Sequence, residues 1–139
     1  MSVLKGYQGK LYIGDYGSDA TTEIDTARDV SLDMSNQEID VAVRADNGSE
    51  ATDTGVQQFS ISVTLYKDSD DANYEALRAH GVNKTKFSVK YLDYENGPGF
   101  LCDAVVTGMQ ESQSLNDPQS VDFTIKRTRG QALTPIEAA

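Results

Sequence analysis

The chain has little of what builds disulfide frameworks, membrane spans or histidine-based catalytic sites. Its 139 residues include one cysteine, one histidine, three prolines and no tryptophan. A single cysteine, Cys102, excludes an internal disulfide, and its place in an apolar strand pattern predicts a buried structural thiol. The longest apolar runs are only a few residues, against the roughly 20 needed to cross a bilayer. We therefore predict no membrane span and, because residues 1–6 lack the apolar stretch of a secretory signal, we expect a cytoplasmic chain.

Positive charge is also scarce. There are 12 Lys and Arg residues against 22 Asp and Glu residues, a formal net charge of −10 at pH 7. Such a chain repels phosphate groups within the screening length of about 8 Å, so direct nucleic-acid binding is not expected. Simple solubility is an alternative use for this acidity. A hydrophobic content of 38% and this length predict one folded domain over residues 1–139.

No residue pattern indicates a catalytic, cofactor-binding or metal site. We therefore predict no catalytic residues, no cofactor-binding residues and no metal ligands. The only histidine, His80, falls in the last turn of a predicted helix, where a cation favours the helix dipole. Residues 68–71 look like the start of a calcium loop. However, Asn73 stands where that loop needs glycine and Ala79 where it needs a glutamate. These acids are better explained as helix capping.

Apolar and polar residues alternate with the period of a strand over much of the chain, which predicts an antiparallel β fold. Ile39, Val41 and Val43 repeat this alternation after a turn predicted at Ser35-Asn36, so residues 29–43 are predicted to form a hairpin. The strongest strand signal lies at residues 59–66. The predicted core consists of Val30, Leu32, Val41, Phe59, Ile61, Val63, Leu65, Leu77, Phe87, Val89, Val106, Phe123 and Ile125.

One helix is predicted over residues 69–80. Asp68 or Ser69 can cap its start, and Asp71 lies where the helix dipole favours negative charge. Gly81 can adopt the left-handed conformation that ends a helix. The apolar stripe of this helix is narrow, so we expect it to cover a sheet edge or an opening.

Residues 45–55 form a polar run without apolar periodicity, which predicts a long exposed loop. A loop of this length is either functional or an idle surface connection. Flexible segments are expected at residues 1–25 and 128–139, at the two ends of the chain.

The order of these elements resembles the phage major tail tube protein family over nearly the whole chain. A strand with Glu38, Asp40 and Val41 leads to the basic Arg44, then to a long polar loop and a central amphipathic strand. The matching segments are residues 9–12, 27–35, 38–44, 59–66, 74–77 and 121–126. Residues 14–26 and 129–139 depart from the family pattern.

The resemblance implies a β-sandwich or barrel flanked by one helix, without enzymatic activity or cofactor. It implies subunits that polymerise as stacked, hexameric rings into a tube through which DNA is ejected without specific binding. Implied partners are other copies of the chain and the tape measure, tail tip and tail terminator proteins; the implied location is the virion tail, with assembly in the host cytoplasm. Contacts between rings are then expected at Arg44, Asp46, Asn47, Ser49, Glu50 and Asp53.

Two other functions remain open at this point. A tube subunit of a contractile injection or secretion system would share the fold but move proteins. A β-sandwich module that binds carbohydrate or peptide would need exposed aromatic side chains on one face, and the chain has seven tyrosines.

Overall fold

The computed structural model describes residues 3–70 and 73–137, except for the side chain of Asp46. It is mainly β, with antiparallel strands and one helix, as the sequence predicts. The elements are β1 (Lys10–Asp15), β2 (Thr22–Glu23), β3 (Ala27–Asp40), β4 (Thr52–Tyr66), α1 (Asn73–Asn83), β5 (Phe87–Leu92), β6 (Gly99–Ser112), β7 (Ser120–Arg127) and β8 (Thr134–Ile136).

The strands form one sheet that curls around a single core. Their order is β2-β1-β5-β6-β7-β4-β3, and β8 also pairs with β6. The outermost strands, β2 and β3, are separated in the chain by only residues 24–26. The four residue steps from Glu23 to Ala27 can span no more than about 14 Å, so the two sides of the sheet must approach each other. The result is a barrel-like fold.

Alternating side chains of these strands fill the core. Nine of the thirteen predicted core residues are buried, while Val30, Leu32 and Val106 pack against the core from its margin. Val41 is 47% exposed, so its assignment to the core was wrong. It lies just beyond the last residue of β3, where the hairpin has left the body of the protein. The buried nine are Phe59, Ile61, Val63, Leu65, Leu77, Phe87, Val89, Phe123 and Ile125.

The predicted turn at Ser35-Asn36 does not exist. Both residues lie inside the continuous strand β3, opposite Gln58 and Gln57 of β4. Ser35 and Asn36 face solvent on a projecting hairpin. Because they are exposed, this part of the strand is polar, and its composition is like that of a turn. The connection between β3 and β4 covers residues 41–51, so the predicted loop at residues 45–55 includes the first residues of β4.

Helix α1 ends later than predicted. Gly81 lies inside it, and the helix approaches β6 closely there: a Cβ atom at this position would be 3.2 Å from Cγ1 of Val106. Lys84 adopts the left-handed conformation instead, with φ of 58°. The Thr85 N–H then donates to the His80 carbonyl at 3.1 Å, which closes the helix in a Schellman-type cap. At the other end, Asp71 lies outside the described residues.

The segments predicted to be flexible contain ordered contacts in this structure, although their flexibility itself stays a prediction. Leu11 and Ile13 of β1 are buried, and β8 pairs with β6. Asp103 on β6 is fully buried, and its carboxylate accepts hydrogen bonds from the N–H groups of Gly17 at 3.1 Å and Gln131 at 2.6 Å. This carboxylate therefore joins the segment after β1 and the C-terminal segment to the sheet.

Candidate assembly surfaces

Strands β3, β4 and β7 present a hydrophilic surface on the side opposite the core. Successive side chains of a strand point to opposite sides, so the alternation that buries Phe59 and Ile61 turns their neighbours outward. Three rows of paired residues cross this surface from β3 through β4 to β7. We call it the polar face; its residues are Asp33, Ser60 and Lys126, then Ser31, Ser62 and Thr124, then Asp29, Thr64 and Asp122.

The polar face is rich in hydroxyl groups and has an excess of negative charge. Asp29, Asp33 and Asp122 are exposed, and Lys126 is the only cation among the nine residues of this face; beside the face, Arg28 forms an ion pair with Asp29 at 3.8 Å. The Thr64 hydroxyl donates to the Asp122 carboxylate at 2.7 Å, which orients that carboxylate on the surface. Such a surface is hydrated and repels polyanions.

Two strand edges beside the polar face pair with no strand among the described residues. One is the outer edge of β3, which is 14 residues long. The other is the edge of β6 along residues 105–112, because β5 pairs only as far as Ala104. Unpaired edges of this length are templates for pairing with another chain. The helix packs beside the second edge, where Lys67 and Arg78 both form ion pairs with Glu111.

The distal part of the β3–β4 hairpin projects beyond the end of β7. The last row shared by the three strands contains Asp33, and β3 continues from there to Asp40. At roughly 3.3 Å per residue this extension is about 23 Å long. Large apolar side chains on it are exposed, namely Met34, Ile39, Val41, Val43 and Val56.

The predicted contact residues all lie on this hairpin, but not all in a loop. We call residues 41–51, which connect β3 to β4, the hairpin tip. Arg44 and Asp46 belong to a short 3-10 helix in it, and the Asp46 side chain lies outside the described part of the structure. Asn47, Ser49 and Glu50 follow in the connection, whereas Asp53 is in β4, paired with Ile39. The structure brings the six positions to one end of the molecule; their role in contacts between rings stays a prediction.

The two side chains that could suggest chemistry are in structural surroundings. Burial raises the pKa of the Cys102 thiol to about 11, so it is protonated at neutral pH. The His80 ring stacks on Phe87 with 4.7 Å between centroids, and Nδ1 lies 2.7 Å from the Thr85 hydroxyl. Burial lowers the pKa of His80, with Asp15 opposing the shift. His80 lies in the last turn of α1, as predicted, but its burial there disfavours the cationic form of the ring.

Over residues 3–70 and 73–137, no group of three or more His, Cys, Asp or Glu side chains could hold a metal ion. The helix described there is too short and too polar to be a membrane span.

Sequence reasoning missed the polar face and the buried Asp103. The alternation of residues 29–33 and 60–64 predicted one polar side for each strand, but only the register shows that these sides form one surface. For Asp103 a signal was present, because it is a lone carboxylate between Cys102 and Ala104 in an otherwise apolar run.

Comparison with known proteins places this fold. No family model and no curated protein matches the chain. Among solved structures, the SPP1 tail tube superimposes with a TM-score of 0.75 at 13% identity, covering 97% of this chain and 80% of that one. The tail of an empty gene transfer agent particle, solved with C6 symmetry, gives a TM-score of 0.70 at 18% identity, covering 89% and 93%.

A third similar structure comes from the sheath–tube complex of an extracellular contractile injection system. Its TM-score is 0.63 at 14% identity, and the match covers 99% of this chain and 93% of that one. At such identities the likeness shows the fold, and it covers at least 89% of this chain and at least 80% of each similar chain. The chain has the tail tube fold.

Proposed function

We propose that this protein is a non-enzymatic structural subunit that polymerises as stacked rings into a phage tail tube. The observation that carries the proposal is the pair of open strand edges on either side of the polar face. It is supported by the tail tube fold of the similar structures, which come from assembled tails and tubes. The subunit would then reside in the virion tail after assembly in the host cytoplasm.

Strand directions make ring closure possible without rearrangement. The half of the sheet that bears the polar face contains β3, β4, β7 and the end of β6, and each neighbouring pair is antiparallel. Four alternating strands place β3 and β6 in opposite directions. When rotation about an axis brings the β3 edge of one copy to the β6 edge of the next, the new pair is again antiparallel, as within the subunit.

A ring closed in this way has the polar face on one side of a continuous barrel. The helix and the core occupy the other side, so the polar face lines the bore. Its excess of carboxylates repels the phosphates of DNA and lets DNA pass without binding. Six subunits per ring is the number we propose, supported by the C6 symmetry of the similar gene transfer agent tail. Tape measure, tail tip and tail terminator proteins are the further partners that this role requires.

A tube subunit of a contractile injection system is the second candidate. It is favoured by the sheath–tube complex and by a similar chain in the baseplate of the anti-feeding prophage, with a TM-score of 0.60. The two candidates differ in cargo. A binding module for carbohydrate or peptide has less support, because the exposed Tyr7 and Tyr16 lie at opposite ends of β1.

Negative-stain microscopy of the purified full-length chain tests the proposal. We expect rings or tubes of uniform bore that become longer as protein concentration rises. Particles that stay monomeric at millimolar concentration, across a range of salt and pH, would contradict the proposed function.

A second experiment tests whether the hairpin tip joins rings. The Val41 N–H donates to the Ala51 carbonyl at 3.0 Å, so residues 42–50 can be replaced by an Asn-Gly turn without breaking that bond. We expect normal folding and single rings but far fewer tubes. Tubes of unchanged length and yield would show that the tip is an idle connection.

A further inference from the structure

The end of the molecule opposite the hairpin tip carries a second exposed apolar feature. Between β6 and β7, the Asp117 N–H donates to the Ser114 carbonyl at 3.2 Å, which closes a tight turn. Leu115 in this turn is 98% exposed, more than any other large hydrophobic side chain in the described part of the chain. A leucine held in this way by its own turn contributes little to the fold, since it is in water.

This turn and the hairpin tip lie at opposite ends of the same strands. Strand β4 begins next to the tip at Thr52 and ends at Tyr66, which pairs with Ser120 just after the turn. A copy translated along the strands would therefore bring its turn towards the tip of the copy before it. Such a contact joins two different surfaces and can repeat without limit.

Charge favours the same pairing. Arg44 is the only cation between Arg28 and Lys67, and it forms no ion pair with any side chain that the structure describes. The opposite end of the molecule is acidic, with exposed carboxylates at Asp68, Asp70 and Asp117. Carboxylates of the hairpin, including Glu38, Asp40 and Glu50, would repel that end, so the contact is favourable only where Arg44 meets an acid. This restriction fixes the register of the contact.

We propose that the turn at residues 114–117 of one copy docks on the hairpin tip of a second copy in the next ring. Leu115 packs against the exposed Ile39, Val41 and Val56 of that hairpin, and Asp117 pairs with its Arg44. The proposal rests on the proposed function, because it names the partner surface that the hairpin uses in a tube. Most of the binding free energy of this contact then comes from Leu115, Ile39, Val41 and Val56. These residues are outside the predicted contact set, whereas Arg44 belongs to it.

Two substitution experiments on the full-length chain test this contact by sedimentation of tubes and by microscopy. Replacing Leu115→Ser is expected to raise the protein concentration needed for half-maximal pelleting at least about tenfold, since a buried leucine side chain is lost at every contact. The matched control is Val82→Ser, which removes an apolar side chain that is 66% exposed on α1. This control should assemble like the unchanged protein, and circular dichroism should show both variants folded.

The second experiment reverses the proposed ion pair. Arg44→Asp and Asp117→Arg should each raise that concentration at least about fivefold, and the double variant should return to within about twofold of the unchanged protein. The contact is refuted if Leu115→Ser assembles normally, or if the double variant is no better than the worse single variant. In both cases the unchanged protein still forms tubes. If it does not, the proposed function itself has failed.

Discussion

Asp103 shows how one buried carboxylate can organise two distant parts of the chain. Its side chain accepts two backbone N–H groups, and its carbonyl accepts the Thr128 N–H at 2.9 Å. The Tyr16 hydroxyl also donates to the Arg129 carbonyl at 3.0 Å, which holds the same two segments together. A buried charge is tolerated only when hydrogen bonds replace its hydration, and here they do.

We predict that Asp103→Asn destabilises the fold. The amide cannot accept two charge-assisted hydrogen bonds as the carboxylate does, so the free energy of unfolding should fall by about 1.5–3 kcal/mol. Urea denaturation measures this change, and Asp93→Asn at an exposed position is the control. Equal stability of the two variants would mean that the Asp103 bonds contribute nothing net.

His80 predicts a specific dependence of stability on pH. Its folded pKa lies below the ordinary value of 6.5 because burial disfavours the charged ring. As pH falls below about 6.5, the unfolded chain binds a proton that the folded chain does not yet bind. The contribution of His80 to stability therefore declines from that point until the pH reaches the lowered folded pKa, and it is constant below that pH.

Two measurements check this prediction. Because the chain has one histidine, a single Hε1 resonance in an NMR titration gives the folded pKa directly. Urea denaturation at pH 7.5 and 5.5 should then show a larger loss of stability for the unchanged protein than for His80→Gln. A midpoint at or above 6.5 would contradict the prediction.

Single residues were predictable where local pattern decides their environment. The buried Cys102 followed from its apolar strand, whereas Val41 was placed in the core because its alternation with Asp40 looks the same on a projecting hairpin. Burial depends on whether another layer covers the strand, and local periodicity does not contain that information.

At the scale of elements, the end of α1 depends on tertiary packing. Glycine at position 81 indicated a helix end, but it lies inside the helix, where the absence of a side chain allows a close approach to Val106. The left-handed position then falls on Lys84, which has a Cβ atom and adopts this conformation at a cost of roughly 1 kcal/mol.

We therefore predict that Lys84→Gly stabilises the protein by about 0.5–1 kcal/mol, because glycine takes positive φ without strain. Ala79→Gly is the control of opposite sign, since Ala79 is exposed inside the helix and glycine there costs about 1 kcal/mol. Thermal denaturation of both variants gives the comparison. If Lys84→Gly proved less stable than the unchanged protein, the cap would not be strained.

The β3–β4 hairpin shows a similar limit. Polar residues at Ser35-Asn36 predicted a turn, because in a compact domain such residues interrupt strands. Here the strand continues beyond the body of the protein, where both of its sides meet water. The long polar connection was correctly expected in this region, but its start at residue 41 depends on pairing with β4 that only the structure shows.

At the scale of the whole molecule, the order of the longer strands along the chain and the single helix were predictable, because each of these strands carried its own alternation and the joint order resembled one family. Strands β2 and β8 lie in the segments expected to be flexible and were missed. The resemblance implied a sandwich or barrel, but the strand pairing that closes the sheet was not predictable, since it depends on β2 and β3 being successive parts of a chain that pairs first with β1 and then with β4. The polar face is a product of the register between β3, β4 and β7. The net charge of this face therefore depends on how the three strands pair. Its effect on DNA can be tested only in assembled tubes.

The double variant Asp29→Lys with Asp33→Lys changes the sign of the polar face. If this face lines the bore, the two substitutions raise the net charge of each subunit's polar face by four units, and tubes should retain short duplex DNA that the unchanged tubes exclude. The retained DNA should be protected from nuclease and should be released as salt rises from 50 to 200 mM, the range over which phosphate contacts weaken strongly.

The matched control, Asp93→Lys with Glu95→Lys, makes the same change of charge at exposed positions after β5. Any DNA that its tubes attract is bound on the outer surface, where nuclease can reach it. Equal protection by the two variants would place Asp29 and Asp33 outside the bore, whereas protection by the first variant alone would identify the polar face as the wall along which DNA passes.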